Sequence, residues 1–156
     1  MSVAVALDRG LEVLDTGQCL RLLGSVAVGR IAVDADGGPT VLPVNYVVDE
    51  WTIVVRTTFG AKLVAAALER PVAFEVDDFD AATRTGWSVL VKGTAEVVTS
   101  AEVIDRLQDL GLDTWAEGVT RDRWVRIHPN QITGRRIPPL TRPPSEPGPP
   151  NNAVML

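Results

Sequence analysis

Short β-rich segments separated by turn residues occupy much of the first half of the chain and restrict the folds open to it. Residues 26–33 and 41–48 are rich in valine and other apolar residues, and Asp36-Gly37-Gly38-Pro39 lies between them. This composition is typical of a hairpin turn. A third such segment, residues 51–57, follows after a two-residue turn. Three strands adjacent in sequence predict an antiparallel meander.

Three helices and three further strands are predicted in the rest of the chain. Asp15 and Gln18 form a capping pattern for a short first helix that ends at Gly24. The second helix covers the alanine-rich residues 61–70 before Pro71, and the third begins at Ser100 and stops at Gly111. The remaining elements are strands at 72–76, 86–98 and 123–137, an acidic loop at 77–85 and a bulge at Gly93.

This order of elements predicts a mainly β (α+β) fold. Hairpins dominate and no repeated β-α-β crossover is required, so we expect an antiparallel, barrel-like sheet with helices at its ends. With 156 residues, 46% of them hydrophobic, the chain can bury a core without disulfides or structural metal. From Pro138 it is proline-rich and lacks apolar periodicity. We therefore expect one domain over residues 1–137 and a flexible tail over residues 138–156.

Composition excludes several classes of function. Cys19 and His128 are the only residues of their types, which excludes an internal disulfide and a cysteine-based zinc cluster. The same counts leave no ordinary Ser/His/Asp site, so an enzyme of this sequence takes its chemistry from something it binds. A net charge of -5 opposes nucleic-acid and anionic-membrane partners. With no apolar run of about 20 residues and no signal-peptide pattern, we expect a cytoplasmic protein.

The junction between the third strand and the second helix carries the most informative pattern. Thr57 and Thr58 end the strand, Gly60 permits a close turn, and Lys62 lies in the first turn of the helix. Hydroxyls, backbone N–H groups, a helix dipole and a cation then converge, as a phosphate group requires. The alternative is that the threonines cap the helix while Lys62 lies in solvent.

Polar and aromatic residues in two strands are the other candidates. Asn45 lies in an apolar strand, where it either hydrogen-bonds the edge of a heteroaromatic ring or satisfies a backbone group. Trp87 and Ser88 open a long strand, and the tryptophan either lines a flat ligand or subunit interface or belongs to the core. The acidic stretch at 77–80 lacks the spacing of a calcium loop, which favours a solvated turn over a metal site.

Taken together, these segments resemble the flavin-binding split-barrel family related to pyridoxamine 5'-phosphate oxidase, in particular its small bacterial members grouped with nitroimidazole-resistance proteins. The resemblance covers about residues 18–137. It rests on six segments in order, namely LLGSVAVGRI at 22–31, PVNY at 43–46, RTTFGAK at 56–62, FEVD at 74–77, GWSVLVKG at 86–93, and WVRI with GRRI at 124–127 and 134–137.

The resemblance implies a split barrel of about six antiparallel strands with short peripheral helices, and a homodimer with FMN bound at the subunit interface. It also implies a small-molecule substrate or an electron donor such as NAD(P)H. No catalytic side chain or metal is expected. The cofactor-binding residues that it implies are Val44, Asn45, Tyr46, Val54, Val55, Arg56, Thr57, Thr58, Lys62, Trp87 and Ser88.

The chain lacks a full set of the arginines and the tyrosine that hold substrate phosphate in the true vitamin oxidases, so we predict a flavin-dependent oxidoreductase with a different substrate. Two alternatives remain open. The same barrel could use the deazaflavin F420, whose polyanionic tail would need the arginines at 121–136. A non-catalytic module could instead hold flavin or haem, with His128 or Cys19 as the only conventional iron ligands.

Overall fold

A computed structural model describes residues 10–35, 37–57, 60–112 and 123–139. Within these ranges it has seven strands and three helices. In chain order they are β1 (Glu12–Leu14), α1 (Thr16–Leu23), β2 (Val28–Ala35), β3 (Gly38–Asp49), β4 (Thr52–Thr57), α2 (Ala61–Glu69), β5 (Val72–Asp80), β6 (Thr85–Val97), α3 (Ala101–Asp109) and β7 (Arg123–Ile137). No helix in the described part of the chain is long and apolar enough to cross a bilayer.

The strands form one antiparallel sheet that closes on itself. Their order is β1-β7-β4-β3-β2-β5-β6, and β6 also pairs with β7. The six strands other than β1 therefore make a closed barrel. The short strand β1 pairs only with the last part of β7, from Leu14↔Gly134 to Glu12↔Arg136. The predicted barrel of about six antiparallel strands with short helices is confirmed. The seventh strand, β1, was missed because three residues are too few to show periodicity.

Closure of the barrel depends on the long strand β7. Its first residues pair with β4, from Ile53↔Ile127 to Thr57↔Arg123, and its length from Val125 onward pairs with β6. The pairing shifts register between Lys92 and Gly93, which confirms the predicted bulge. A Cβ on Gly93 would lie 2.1 Å from the carbonyl oxygen of His128, so only glycine fits this crossing.

Alternate residues of each strand fill the barrel, and the helices cover what remains. Phe74, Val89 and Val91 are fully buried in the interior. Helix α1 starts at the predicted capping box of Asp15 and Gln18 and packs on β6 and β7. Helix α2 closes another part of the barrel, where its apolar side chains line a small void with Thr57. Helix α3 packs on the outer face of the barrel, over Val54 and Trp124.

A buried ion cluster joins α3 to the barrel. Asp49 at the end of β3 is 7% exposed and accepts hydrogen bonds from Arg106 of α3 at 2.7 and 2.9 Å. Arg126 of β7 donates a third hydrogen bond to it at 2.9 Å. The hydrogen bonds from Arg106 and the charges of both arginines lower the pKa of Asp49, although its burial acts in the opposite direction.

One predicted element differs from the structure. The acidic residues at 77–80 were predicted to lie in a loop, but they extend β5 as far as Asp80. They pair with β6 from Asp77↔Ser88 to Asp80↔Thr85, and the turn is only residues 81–84. Backbone pairing outweighs the low β-propensity of aspartate here because the acidic side chains remain in contact with solvent. The predicted tail lies almost entirely outside the described residues, which end at Pro139.

Candidate functional site

The junction of β4 and α2 is the first part of the candidate site. Lys62 is exposed in the first turn of α2, which begins after Gly60. Leu63 and Val64 both donate to the carbonyl oxygen of Gly60, at 3.0 and 3.3 Å. No side chain of the described residues caps this turn. The helix start therefore offers its dipole and a cation to an anion, as the sequence pattern suggested.

Arg56 extends the positive charge of this junction on the outer face of the barrel. Its neighbours in β4, Val55 and Thr57, face the interior, so Arg56 points outward. The guanidinium carbon lies 5.5 Å from the centre of the Trp124 ring, a cation–π geometry that orients the side chain. Because α3 packs against Trp124, this helix indirectly supports the position of Arg56.

Asn45 lies beside Arg56 on the same outer face. The pair Tyr46↔Val55 faces inward, so the residues next to it, Asn45 and Arg56, are neighbours on the outside. Asn45 is half-buried and donates from its side-chain nitrogen to the carbonyl oxygen of Ala27 at 3.4 Å. The backbone alternative considered for this residue is therefore observed. Its carbonyl group can accept a hydrogen bond as well.

Five of the predicted residues have buried side chains. Tyr46 is 4% exposed, and its hydroxyl donates to the carbonyl oxygen of Leu23. Burial raises the pKa of this hydroxyl. Its ring also meets Phe74 edge-on, with centroids 4.8 Å apart. Because the side chains of all five residues are buried, they can contact a ligand only through their backbone atoms. The five are Val44, Tyr46, Val54, Val55 and Thr57. Thr58 lies outside the described residues.

Trp87 and Ser88 lie far from the β4–α2 junction within one chain. Trp87 pairs with Arg136, whereas Thr57 pairs with Arg123, at the opposite end of β7. Counted across the sheet from β4 through β3, β2 and β5 to β6, four strand spacings separate Thr57 from Trp87, which is about 19 Å at about 4.8 Å per strand. Trp87 packs at the edge of the core, and Ser88 faces outward. One chain therefore separates the predicted site into two parts.

An ion-pair group on the outer face was not found by sequence reasoning. Arg30 lies 3.1 Å from Glu75 and 3.4 Å from Asp77, next to Ser88. Burial and then the Asp77 charge raise the pKa of Glu75, and Arg30 counters both. Arg30 is 45 or more positions away from both carboxylates in sequence, and only the β2–β5 pairing brings it to them.

The residues proposed for the two alternative cofactors are dispersed. Arg123 and Arg136 lie at opposite ends of β7, and Arg126 is held by Asp49, so these arginines do not form the single basic patch suggested for F420. Arg121 lies outside the described residues. His128 and Cys19 are the two candidate haem ligands. The His128 Nε2 atom is 3.0 Å from a carboxylate oxygen of Glu96, and the Cys19 side chain is fully buried.

The fold and the order of the six sequence segments agree with the match of the chain to a known family. Residues 15–136 match the model of the pyridoxamine 5'-phosphate oxidase family. The chain belongs to this family. Among relatives, the Mycobacterium tuberculosis protein Rv0080, of uncharacterised function, is 38% identical over 84% of this chain and 88% of its own length.

Two solved structures agree with the barrel described above. The FAD-binding protein from Mycobacterium smegmatis is 41% identical, with a TM-score of 0.69 over 80% of this chain and 98% of its own. The FAD and heme binding protein from the same species is 15% identical, with a TM-score of 0.61 over 81% and 72% of the two chains. The second similarity shows the shared fold alone.

Proposed function

We propose that this protein binds a flavin nucleotide at the interface of a homodimer and acts as a flavin-dependent oxidoreductase. The observation that carries the proposal is the similarity to the M. smegmatis FAD-binding protein along nearly the whole of that chain. FMN, which the sequence resemblance implied, and FAD share the ring, the ribityl chain and its phosphate.

The residues at the β4–α2 junction fit the phosphate end of a flavin. Lys62 and Arg56 supply two positive charges, and the first turn of α2 has no side-chain cap among the described residues. A phosphate needs cations and backbone donors of this kind. Thr57 does not contribute its hydroxyl in this arrangement, because its side chain is 5% exposed and faces the void beneath α2.

Two features of the fold support a shared site. The outer face that carries Asn45 and Arg56 belongs to a closed barrel and is convex, whereas sites for small molecules are concave and bury most of the ligand. A second surface must therefore cover the ring. Trp87 and Ser88 also lie four strands away from the β4–α2 junction around the same barrel, so a second copy is proposed as the source of the pair that covers the ring.

The roles of the protein's own residues follow from this assignment. A bound flavin supplies hydride or single-electron transfer. Lys62 and Arg56 neutralise phosphate charge, Asn45 hydrogen-bonds near the ring, and Trp87 with Ser88 of a second copy covers it. None of these groups is required to act as a general acid or base.

Binding is tested with purified apoprotein titrated with FMN and with FAD, followed by flavin fluorescence and calorimetry. We expect saturable binding and roughly tenfold or greater weakening in Lys62→Ala, about the loss of one charge-assisted contact. Lys92→Ala is the matched control, because Lys92 is the only other lysine and lies on β6. Absence of binding of either flavin would refute the proposal, and equal affinity of both variants would remove Lys62 from the site.

The shared site is tested by complementation. Lys62→Ala and Trp87→Ala chains, each with a different affinity tag, are co-expressed and the heterodimer is isolated by two purification steps. If two protomers form each site, one of the two sites in the heterodimer has no substitution and binds flavin with the wild-type affinity. A heterodimer without such a site, or a monomer in sedimentation, would contradict the shared arrangement. Reduction by NAD(P)H under anaerobic conditions then distinguishes an enzyme from a flavin holder.

A further inference from the structure

A groove of about 330 Å³ lies at the end of the β5–β6 hairpin, where β7 also ends. Gly86 of β6 lies between Phe79 of β5 and Ile137 of β7 and pairs with both. The Phe79 ring lies over Gly86, so a Cβ at this position would collide with the ring. Phe79 and Ile137 are 57% and 39% exposed. Two large apolar side chains therefore line one groove while facing solvent.

The β5 side of this groove is negatively charged. Asp78 and Asp80 both line it and are exposed. A backbone hydrogen bond from Thr83, with a second from Ala82, lowers the pKa of Asp80, so its carboxylate is charged at neutral pH. Arg136 is the one cation among the described residues that line the groove. The groove therefore suits an apolar segment that carries a positive charge.

The chain itself supplies such a segment at the edge of the groove. Pro139 is the last described residue and lines the groove. The sequence continues as LTRPP over residues 140–144. The prolines on both sides of Leu140, Thr141 and Arg142 favour an extended, polyproline II conformation. Segments of this kind dock in grooves lined by aromatic residues, because little conformational entropy is left to lose.

The dimensions of the groove match those of this segment. From Pro139 on the β7 side, two strand spacings lead across β6 to β5, which is about 10 Å at about 4.8 Å per strand. Three residues of polyproline II span about 9 Å, at about 3.1 Å per residue. Arg142 then lies beside Asp78 and Asp80. Since this conformation has three residues per turn, Arg142 also faces the same side as Pro139, towards the groove.

We infer that residues 140–144 dock in this groove of their own chain, with Arg142 paired to Asp78 and Asp80. The segment leaves the barrel at the groove, complements its charge and has the length to cross it. Docking requires no bound flavin. Because Trp87 also lines the groove, the docked segment lies against one residue of the proposed flavin cover.

A cysteine reporter in the full-length chain tests the docking. Leu140→Cys, which keeps a small apolar side chain, is treated with a disulfide reagent, and wild-type protein with its buried Cys19 gives the background. Ala153→Cys, near the end of the chain, is the reference for an undocked thiol. We expect Leu140→Cys to react about tenfold more slowly than this reference, as for a segment that is undocked about a tenth of the time.

Substitutions added to the Leu140→Cys chain identify the contacts. Phe79→Ala should raise the rate to that of the reference, whereas Trp51→Ala, at an exposed aromatic on the β3–β4 turn, should leave it unchanged. Arg142→Asp should also release the thiol, although the added negative charge by itself would slow the reaction. Asp78→Arg combined with Arg142→Asp restores the opposite charges and should restore the slow reaction.

Equal rates for Leu140→Cys and Ala153→Cys would overturn the inference. Protection that survives both Phe79→Ala and Arg142→Asp would overturn it as well, because the segment would then be held elsewhere. A second copy as the site of docking is tested by co-expressing the Leu140→Cys, Phe79→Ala chain with differently tagged wild-type chain. Slow reaction of the thiol in the mixed assembly alone would place the segment in the groove of the other copy and contradict docking within one chain.

Discussion

Replacement of Asp49 by asparagine tests how firmly α3 is attached to the barrel. Asp49 and Arg126 are 7% and 17% exposed at their side chains, whereas Arg106 is 51% exposed. Removal of one partner from a buried ion pair costs about 3–5 kcal/mol, and an exposed pair contributes only about 0.2–1 kcal/mol. Because the Arg106 contact is half in water, we expect Asp49→Asn to lower the free energy of unfolding by about 3 kcal/mol.

Urea unfolding at pH 7, followed by tryptophan fluorescence, measures this loss. It corresponds to a fall in melting temperature of roughly 10 °C for a domain of this size. Arg106→Ala should cost less than Asp49→Asn, because Arg126 still pairs with the carboxylate, and Asp109→Asn at the end of α3 is the control. A loss below about 1 kcal/mol in Asp49→Asn would refute the argument that burial makes this cluster strong.

The pH dependence gives an independent check of the same cluster. Since the folded-state pKa of Asp49 is lowered, its stabilising contribution is fully present above the ordinary aspartate pKa of about 3.9. The contribution is lost as the pH falls through the lower folded-state value. The difference in unfolding free energy between wild type and Asp49→Asn should therefore narrow below about pH 3.9. A constant difference between pH 7 and pH 2.5 would contradict the lowered pKa.

Three further outcomes follow from buried contacts. Tyr46→Phe removes the hydroxyl that donates to Leu23 and should cost about 1–2 kcal/mol in urea unfolding; an unchanged midpoint would mean that the bond contributes nothing. Gly134→Ala places a Cβ 2.6 Å from the sulfur of Cys19 and should destabilise by about 1–3 kcal/mol in thermal unfolding. Gly24→Ala is the control, because a Cβ there would lie at an ordinary contact distance of 3.7 Å. The Cys19 thiol is fully buried, and burial raises its pKa, so a disulfide reagent should label it only after unfolding; rapid native labelling would disprove this.

The local elements were predictable because their signals lie within a few residues of one another. The capping box of Asp15 and Gln18, the glycine at the bulge and the strand–helix junction before Lys62 all have the predicted structure. Each depends on backbone geometry and side-chain chemistry within a few neighbouring residues. The assignment of residues 77–80 to a loop was wrong because the pairing partner in β6, and not local composition, decides whether they extend the strand.

The sequence by itself determined that the chain forms a mainly antiparallel sheet in which a strand-to-helix junction precedes Lys62. Only the tertiary structure decided which predicted residues face outward, since a shift of one residue in strand register exchanges the two faces. Register buries Tyr46 and Thr57, turns Arg56 to the outer face, and puts Trp87 four strands away from β4 around the barrel. Such relations join residues tens of positions apart, and no local pattern contains them.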